Sequence, residues 1–452
     1  MKTAAFGGTL GIILLCPSVP PPRQAAPEVY EAPDREPTPE ETLILELMNR
    51  FRADPSVEAD RIAPGGKSGG GVDWNMFRQE MKALKPAPPL VFNLELLDAA
   101  RKHSWYMIRN TLTHAEEPGK PGFTGTGPAE RMKAAGYRGF GAAENAFRDA
   151  PGPLGSHVGF VVDNGAGPGG MQPERGHRRN MIGPFREVGP GAVPHAGRLS
   201  VTHDFGTRDV RLAGGVVFID LNGNNFYDTG EGLGGVTIAA SDGSSTTTWK
   251  AGSYALELRG QGTVTLAAML EGERFVRTFP AGRDNLKFDW AVPIEVPLRR
   301  ADRYLAAVEH AGEPGTPRHT QALVNLYYHT RGLYLDPPRR TRIQELTASV
   351  GPELEAHQKA VLEALRNVEA PGLQKLLEDH RRPYRGTDAD AWFQDAEMVA
   401  RLKRGVANFL RQPRPPSLER RQMTTALEEA RKKMRTLAFL AEIDLLIARL
   451  RS

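Results

Sequence analysis

The sequence predicts a multidomain chain in which a helix-bearing first unit is followed by a small β-sandwich and a C-terminal helical bundle. Three observations carry this. A length of 452 residues is enough for about three domains. Between about residues 208 and 300 the pattern turns to short β-branched runs separated by Gly, Asn and Asp. Beyond residue 300 those runs disappear, and long segments rich in Leu, Ala, Glu and Arg take over. The 40% hydrophobic and 25% charged residues are ordinary for globular protein, so each unit can bury a core.

The chain opens with Met1-Lys2 and the apolar run Ala4 to Leu15, a short basic region and hydrophobic region too brief to span a bilayer as a mature helix. Residues 1–27 are read as an export leader with cleavage near Ala25-Ala26. The single cysteine, Cys16, lies inside it, which excludes a disulfide framework. Ile13-Leu14-Leu15-Cys16 loosely resembles a lipobox, which would make the product a lipoprotein, although Leu15 is bulkier than the usual neighbour. The leader places the protein outside the cytoplasm, secreted or envelope-associated. No later apolar segment approaches membrane-spanning length. Residues 28–39, rich in Pro and acidic side chains, are read as a linker.

The first unit is placed at 40–207. Thr38-Pro39-Glu40-Glu41 supplies an N-cap, a Pro at the first helical position and acids in the first turn, so a helix is expected to about Ala53. A Gly-rich loop at 64–72 and Pro86-Ala87-Pro88-Pro89 precede a long apolar-periodic helix, Leu94 to Asn110. His103 lies on that helix and is read as structural or partly exposed. His114 sits just beyond it. Residues 150–173 read as loop around one short apolar run, Val158 to Val162, and His203 falls in a terminal strand from which it could approach a site.

The second unit is placed at 208–300, with expected strands at Gly215 to Ile219, Gly235 to Ala239, Ser244 to Trp249, Ser253 to Leu258, Gly262 to Ala268 and Val292 to Leu298. Between the first two, Asp220, Asn222, Asn224, Asp228 and Glu231 place oxygen side chains at positions 1, 3, 5, 9 and 12 of a twelve-residue loop, with the Phe226 carbonyl at position 7. That spacing suits calcium, a hard cation that takes six to eight oxygens. The competing reading is an Asn-Gly turn with no ion.

The third unit, 301–452, reads as a helical bundle with strong segments at 340–368, 389–411 and 417–450. Residues 401–452 carry 13 Lys and Arg against 5 Asp and Glu, so the basicity of the chain is a property of this tail. Such a tail can attract an anionic envelope surface. Its cations are interleaved with Leu and Glu rather than aromatics, which favours a solvated helical face and speaks against nucleic acid as a partner.

A set of short motifs identifies the first unit further. Leu112-Thr113-His114, Arg131-Met132-Lys133-Ala134-Ala135-Gly136-Tyr137, Ala143-Glu144-Asn145, Phe160-Val161-Val162-Asp163, Glu174-Arg175-Gly176-His177-Arg178-Arg179-Asn180-Met181 and Thr202-His203-Asp204-Phe205-Gly206 follow one another in the order and spacing of a known family. Together they resemble the CAP superfamily of SCP-like extracellular domains, in its disulfide-free bacterial branch. The resemblance implies an α-β-α sandwich with two histidines and two acids converging in a cleft. His114, Glu144 and His177 match three of these positions. Asp163 matches the fourth, with Phe160 for the family's tryptophan and Asp in place of Glu.

Two imidazoles and two carboxylates allow three chemistries: a zinc-like divalent ion with an open position, proton exchange between His and carboxylate, or a polar cluster that binds without reaction. The resemblance implies an extracytoplasmic binder of a lipid, glycan or peptide-like ligand. A metal-dependent or acid-base hydrolase of envelope or peptide substrates is the alternative. The chain shows no Gly-x-Ser-x-Gly elbow, and its Gly-rich loops lack the Lys-Ser/Thr ending of a phosphate loop. The second unit resembles the SdrD B-like module of bacterial surface proteins, through Gly215 to Val236 and Gly252-Ser253-Tyr254. That likeness implies a calcium-stabilised spacer.

Overall fold

A capping box opens the first unit: the Glu41 amide donates to Thr38 Oγ1 (3.2 Å) and the Thr38 amide to the Glu41 carboxylate (2.8 Å). Helix α1 (Pro39–Ala53) follows from it, then α2 (Pro55–Ile62), α3 (Trp74–Ala83), strand β1 (Val91–Phe92) and α4 (Leu94–Arg109). The rest of the unit is α5 (Pro128–Ala134), β2 (Phe140–Ala150), α6 (Pro153–Val162), α7 (Gly176–Ile182), β3 (Glu187–His195) and β4 (Arg198–Thr207). This computed structural model describes residues 29–32, 34–64, 71–331, 335–412 and 417–434, with 439, 442, 443, 446, 447 and 450 beyond them. The expected leader with Cys16, residues 65–70 of the Gly-rich loop and most of the chain after 434 lie outside the described residues.

The four strands form one sheet in the order β1-β3-β4-β2, parallel between β1 and β3 and antiparallel elsewhere, with β2 at an edge. Alternation along β3 separates its faces. Val188 of β3, with Val201 and Phe205 of β4, joins Phe51 of α1, Phe160 of α6 and Met181 of α7 in one core. On the other face Gly189 and Gly191 admit α4: a Cβ at 189 would lie 2.1 Å from the α4 backbone, and one at 191 would lie 2.3 Å from the Arg101 nitrogen. Because backbone meets backbone there, Gly189→Ala is expected to destabilise by on the order of 3 kcal/mol. A urea midpoint unchanged from wild type would mean that α4 moves aside at no cost.

Residues 150–173, expected to be mostly loop, contain the ten-residue helix α6. Gly159 makes it possible, since a Cβ there would meet the Phe147 ring at 2.7 Å.

The second unit holds β5 (Arg211–Phe218), β6 (Thr237–Ala240), β7 (Ser245–Thr247), β8 (Ser253–Leu258), β9 (Val264–Leu270), β10 (Glu273–Phe279), β11 (Leu286–Lys287) and β12 (Trp290–Ala291). One sheet runs β10-β9-β6-β7, and in the other β5 pairs with β8, β11 and β12. Ile238 and Leu266 of the first share a core with Val217, Tyr254 and Trp290 of the second. This unit packs on the first: Leu43 of α1 meets Val216, Phe218 and Tyr227, and Thr42 Oγ1 lies 2.9 Å from Ser253 Oγ.

The run Val292 to Leu298, expected as a strand, is helical from Glu295. Pro297 falls in the first helical turn, where a missing N–H costs no hydrogen bond. Helix α8 (Glu295–Glu309) is followed by α9 (Pro317–Thr330), α10 (Pro337–Thr347), α11 (Val350–Ala364), α12 (Leu373–Arg381), α13 (Asp390–Leu410) and α14 (Ser417–Lys433). Their largest core gathers Leu354, Leu377, Tyr384, Phe393, Val399 and Phe409. Several tail cations are paired, Lys403 with Glu442 (3.2 Å) and Arg411 with Glu369 (2.6 Å). Among the described residues no helix is long and apolar enough to cross a membrane.

Candidate functional site

Strand β2 carries the site because its successive side chains point to opposite faces of the sheet edge. Glu144 faces α4. Its Oε1 lies 2.7 Å from His114 Nδ1 and its Oε2 accepts from Arg131 of α5 at 2.5 Å. Asn145 faces the other way, donating to the His177 carbonyl (3.1 Å) and accepting from Asn180 of α7 (2.9 Å). One edge strand thus reaches both histidines, His114 after α4 and His177 in α7.

Beneath Glu144 lies a buried charge network. Arg131 is fully buried, 3.6 Å from Glu116, and donates to the His114 carbonyl at 3.1 Å. His103, expected to be structural or partly exposed, is wholly buried and sits 3.6 Å from Glu144, with Nδ1 on Glu116 (2.9 Å) and Nε2 on the Thr113 carbonyl (2.9 Å). Helix α4 turns it inward. Both His103 partners are acceptors, an arrangement satisfied when both ring nitrogens carry protons. Burial by itself would raise the Glu144 pKa, but the His114 hydrogen bond and the His103 and Arg131 charges outweigh it and hold the carboxyl below its ordinary range.

The second pair forms where α6 ends. Asp163 caps it in the left-handed region (φ 62°) and is fully buried. From there its short side chain reaches the start of α7, accepting from His177 Nδ1 at 2.8 Å and from the His177 backbone nitrogen at 3.0 Å. The His177 ring stands edge-on to Phe160 at 5.1 Å. A Glu would overshoot this two-point contact, so the tight left-handed turn explains the Asp.

The four sequence-predicted residues therefore form two pairs, His114 with Glu144 and His177 with Asp163. Among the described residues no group of three or more His, Cys, Asp and Glu side chains is arranged to hold a metal ion. Each imidazole uses Nδ1 on a carboxylate, which fixes the tautomer and leaves Nε2 as an acceptor. The two acids orient the histidines from behind. His114 is the more open, its side chain 57% exposed.

Residues 45–205 match the model of the CAP family, the cysteine-rich secretory protein family. This segment is a CAP domain. The match spans less than half of the chain and stops short of the second and third units. No curated protein and no solved structure matched the chain.

Within the CAP domain, sequence reasoning passed over Asp204 and Arg131 and set His203 aside. Asp204 stands opposite Glu144 on the β2–β4 ladder, and His203 opposite Asn145. Burial and the Glu144 charge raise the Asp204 pKa well above its ordinary value. Burial, with His157 and His177 nearby, pushes His203 down to about 3. Both stood within the family-like motif Thr202 to Gly206, but their burial is a tertiary fact with no local sequence signal.

Outside the CAP domain, the Asp220 loop folds on itself. Asp220 accepts from the backbone nitrogens of Gly223 (2.8 Å), Asn224 (3.1 Å) and Asn225 (2.8 Å), and Asn225 takes the left-handed conformation (φ 56°). Asn222 and Asn224 both donate to Asp228 Oδ2 at 2.7 Å. Glu231 closes the loop by accepting from the backbone nitrogens of Leu221 (2.9 Å) and Asp228 (2.8 Å). Three carboxylates and two amides within one loop form an oxygen-rich donor set, because each amide can turn over to present its oxygen.

Proposed function

We propose that the protein works outside the cytoplasm as a binding protein, gripping its ligand with His114 and His177 of the CAP domain. The state of Glu144 carries this reading. Bonded to His114 and Arg131 and held below the ordinary carboxylate range, it is an anion that orients a histidine, whereas a general base needs a pKa near the working pH. A lipid, glycan or peptide-like ligand with acceptor and donor groups suits two outward imidazoles. A divalent ion such as zinc would be held by the same two Nε2 atoms, with Glu144 and Asp163 behind them and the ligand or water completing the set.

The second unit is read as a calcium-stabilised, SdrD B-like spacer. Asp220, Asn222, Asn224, Asp228 and Glu231, with the Phe226 carbonyl, would hold the ion. The support is the spacing of the loop and the convergence of its side chains on Asp228. The leader 1–27 supports export, and the basic tail supports contact with an anionic envelope surface.

Calorimetric titration of the purified mature protein with Zn²⁺ and Ca²⁺ tests both sites. His114→Ala/His177→Ala is expected to remove zinc binding and leave calcium unchanged, and Asp220→Ala/Glu231→Ala the reverse. Hydrolysis of a peptide or ester library that vanishes in Glu144→Gln would overturn the binding reading in favour of a hydrolase.

A further inference from the structure

Two histidines outside the CAP domain meet in the third unit. His357 stands on α11 and His380 in the last turn of α12, both half-buried, with their Nδ1 atoms 3.2 Å apart. His357 Nδ1 is also 3.2 Å from the His380 carbonyl. A hydrogen bond accounts for this poorly. Both contacts are at the long end of the range, and one proton on His357 Nδ1 would have to serve two acceptors at once. A proton on His380 Nδ1 instead would set the His357 lone pair against the carbonyl oxygen.

The ring positions separate the two arrangements. Each ring centre lies about 1.1 Å behind its nitrogen, so a linear N–H···N bond of this length would put the centres about 5.5 Å apart. They stand 4.9 Å apart, so the two rings do not both aim along the line that joins the nitrogens. Two imidazoles sharing one ion about 2.1 Å away would place their nitrogens about 3.0–3.4 Å apart and their centres about 4.6–5.3 Å apart, from right-angled to tetrahedral coordination. Both observed separations fall inside those limits.

The surroundings suit a cation. The C-terminal end of α12 lends partial negative charge at His380. Asp379 beside it and Glu353, one turn before His357 on α11, are exposed carboxylates with no ion-pair partner among the described residues, whereas Arg381 is engaged by Asp390 and Glu397. Tyr384 stands edge-on to the His357 ring at 5.4 Å, and its buried hydroxyl has no hydrogen-bond partner among the described residues. We propose that His357 and His380 hold one divalent transition-metal ion through their Nδ1 atoms, with water completing its coordination, so that the ion ties α11 to α12.

The choice of ion tells this site from the His114 and His177 pair. Carboxylates behind His114 and His177 make those imidazoles stronger ligands, whereas neither His357 nor His380 has a carboxylate partner among the described residues, so Zn²⁺ fills the CAP pair first. Cu²⁺, the divalent ion that imidazole sites bind most tightly, is the probe. Calorimetry of the full chain carrying His114→Ala/His177→Ala is expected to show one equivalent of Cu²⁺, with two imidazole nitrogens in its electron paramagnetic resonance spectrum. Adding His357→Ala or His380→Ala is expected to weaken that step about a hundredfold. An unchanged urea midpoint without metal checks that these variants fold, and His380→Gln keeps a polar side chain of similar reach should either loosen the helices. Copper binding undiminished by both substitutions, or a copper spectrum in the His114→Ala/His177→Ala protein with fewer than two nitrogen ligands, would overturn the proposal.

Discussion

Arg131→Met is expected to destabilise the CAP domain by on the order of 3–5 kcal/mol, the cost of breaking a buried ion pair from one side. Arg131 is fully buried and is the guanidinium that reaches Glu144 through Nη2 (2.5 Å) and approaches Glu116 (3.6 Å), while its Nη1 donates to loop carbonyls at His114, Gly125 and Thr126. Methionine fills much of the volume and supplies no charge. Glu144 and Glu116 would then be left with His103 as their one neighbouring basic side chain in this network, and Asp204 beside Glu144 brings no positive charge. Adding Glu144→Gln removes the stranded charge, so the double variant is expected to recover a substantial part of the loss. Urea unfolding of the three variants reads this directly. A loss under about 1 kcal/mol for Arg131→Met would show that water reaches the network and screens it. His114 would also lose the donor that holds its carbonyl.

The parts of this site that were legible in the sequence are those carried by short motifs. His114, Glu144, Asp163 and His177 stand in recognisable surroundings, and the oxygen side chains of the Asp220 loop recur at a regular spacing. Their grouping was not legible. Glu144 and Asn145 point to opposite faces of an edge strand, and that period-2 consequence follows only once β2 is known to be a strand through these positions. Arg131 lay in a quoted motif without a role, because a buried charge is explained by a partner thirteen residues away in sequence and 2.5 Å away in space. Helix α6 was hidden by Gly155 and Gly159, which lower helix propensity and here permit close packing. The change from β to helix was placed late, since Val292 to Leu298 is β-branched at its start and Pro297 reads as a breaker unless it falls in a first turn.

Acid should unfold the wild-type protein more readily than His203→Phe. The His203 ring is fully buried between Phe160 (4.5 Å) and Phe205 (6.0 Å), and neither of its nitrogens has a hydrogen-bond partner among the described residues. Burial, then the neighbouring His157 and His177, push its pKa down to about 3. An unfolded chain takes up that proton at about 6.5, so the folded state binds fewer protons throughout the interval between. Stability associated with neutral His203 is therefore fully present above about pH 6.5 and is lost as pH falls, by about 1.4 kcal/mol per pH unit until the folded pKa is reached. Phenylalanine matches the ring and has no proton to accept, so the variant should equal or exceed wild type at pH 7 and be ahead by about 2 kcal/mol more at pH 5. Neighbouring Asp204 works in the opposite sense: its raised pKa favours the protonated folded state, a contribution that fades as pH rises above about 3.9. Because Asp204 is common to both proteins, it cancels from their difference, and so does the acid loss from Glu144. Stability curves that stay parallel from pH 7 to pH 5 would mean that water or a local opening protonates His203 in the native state.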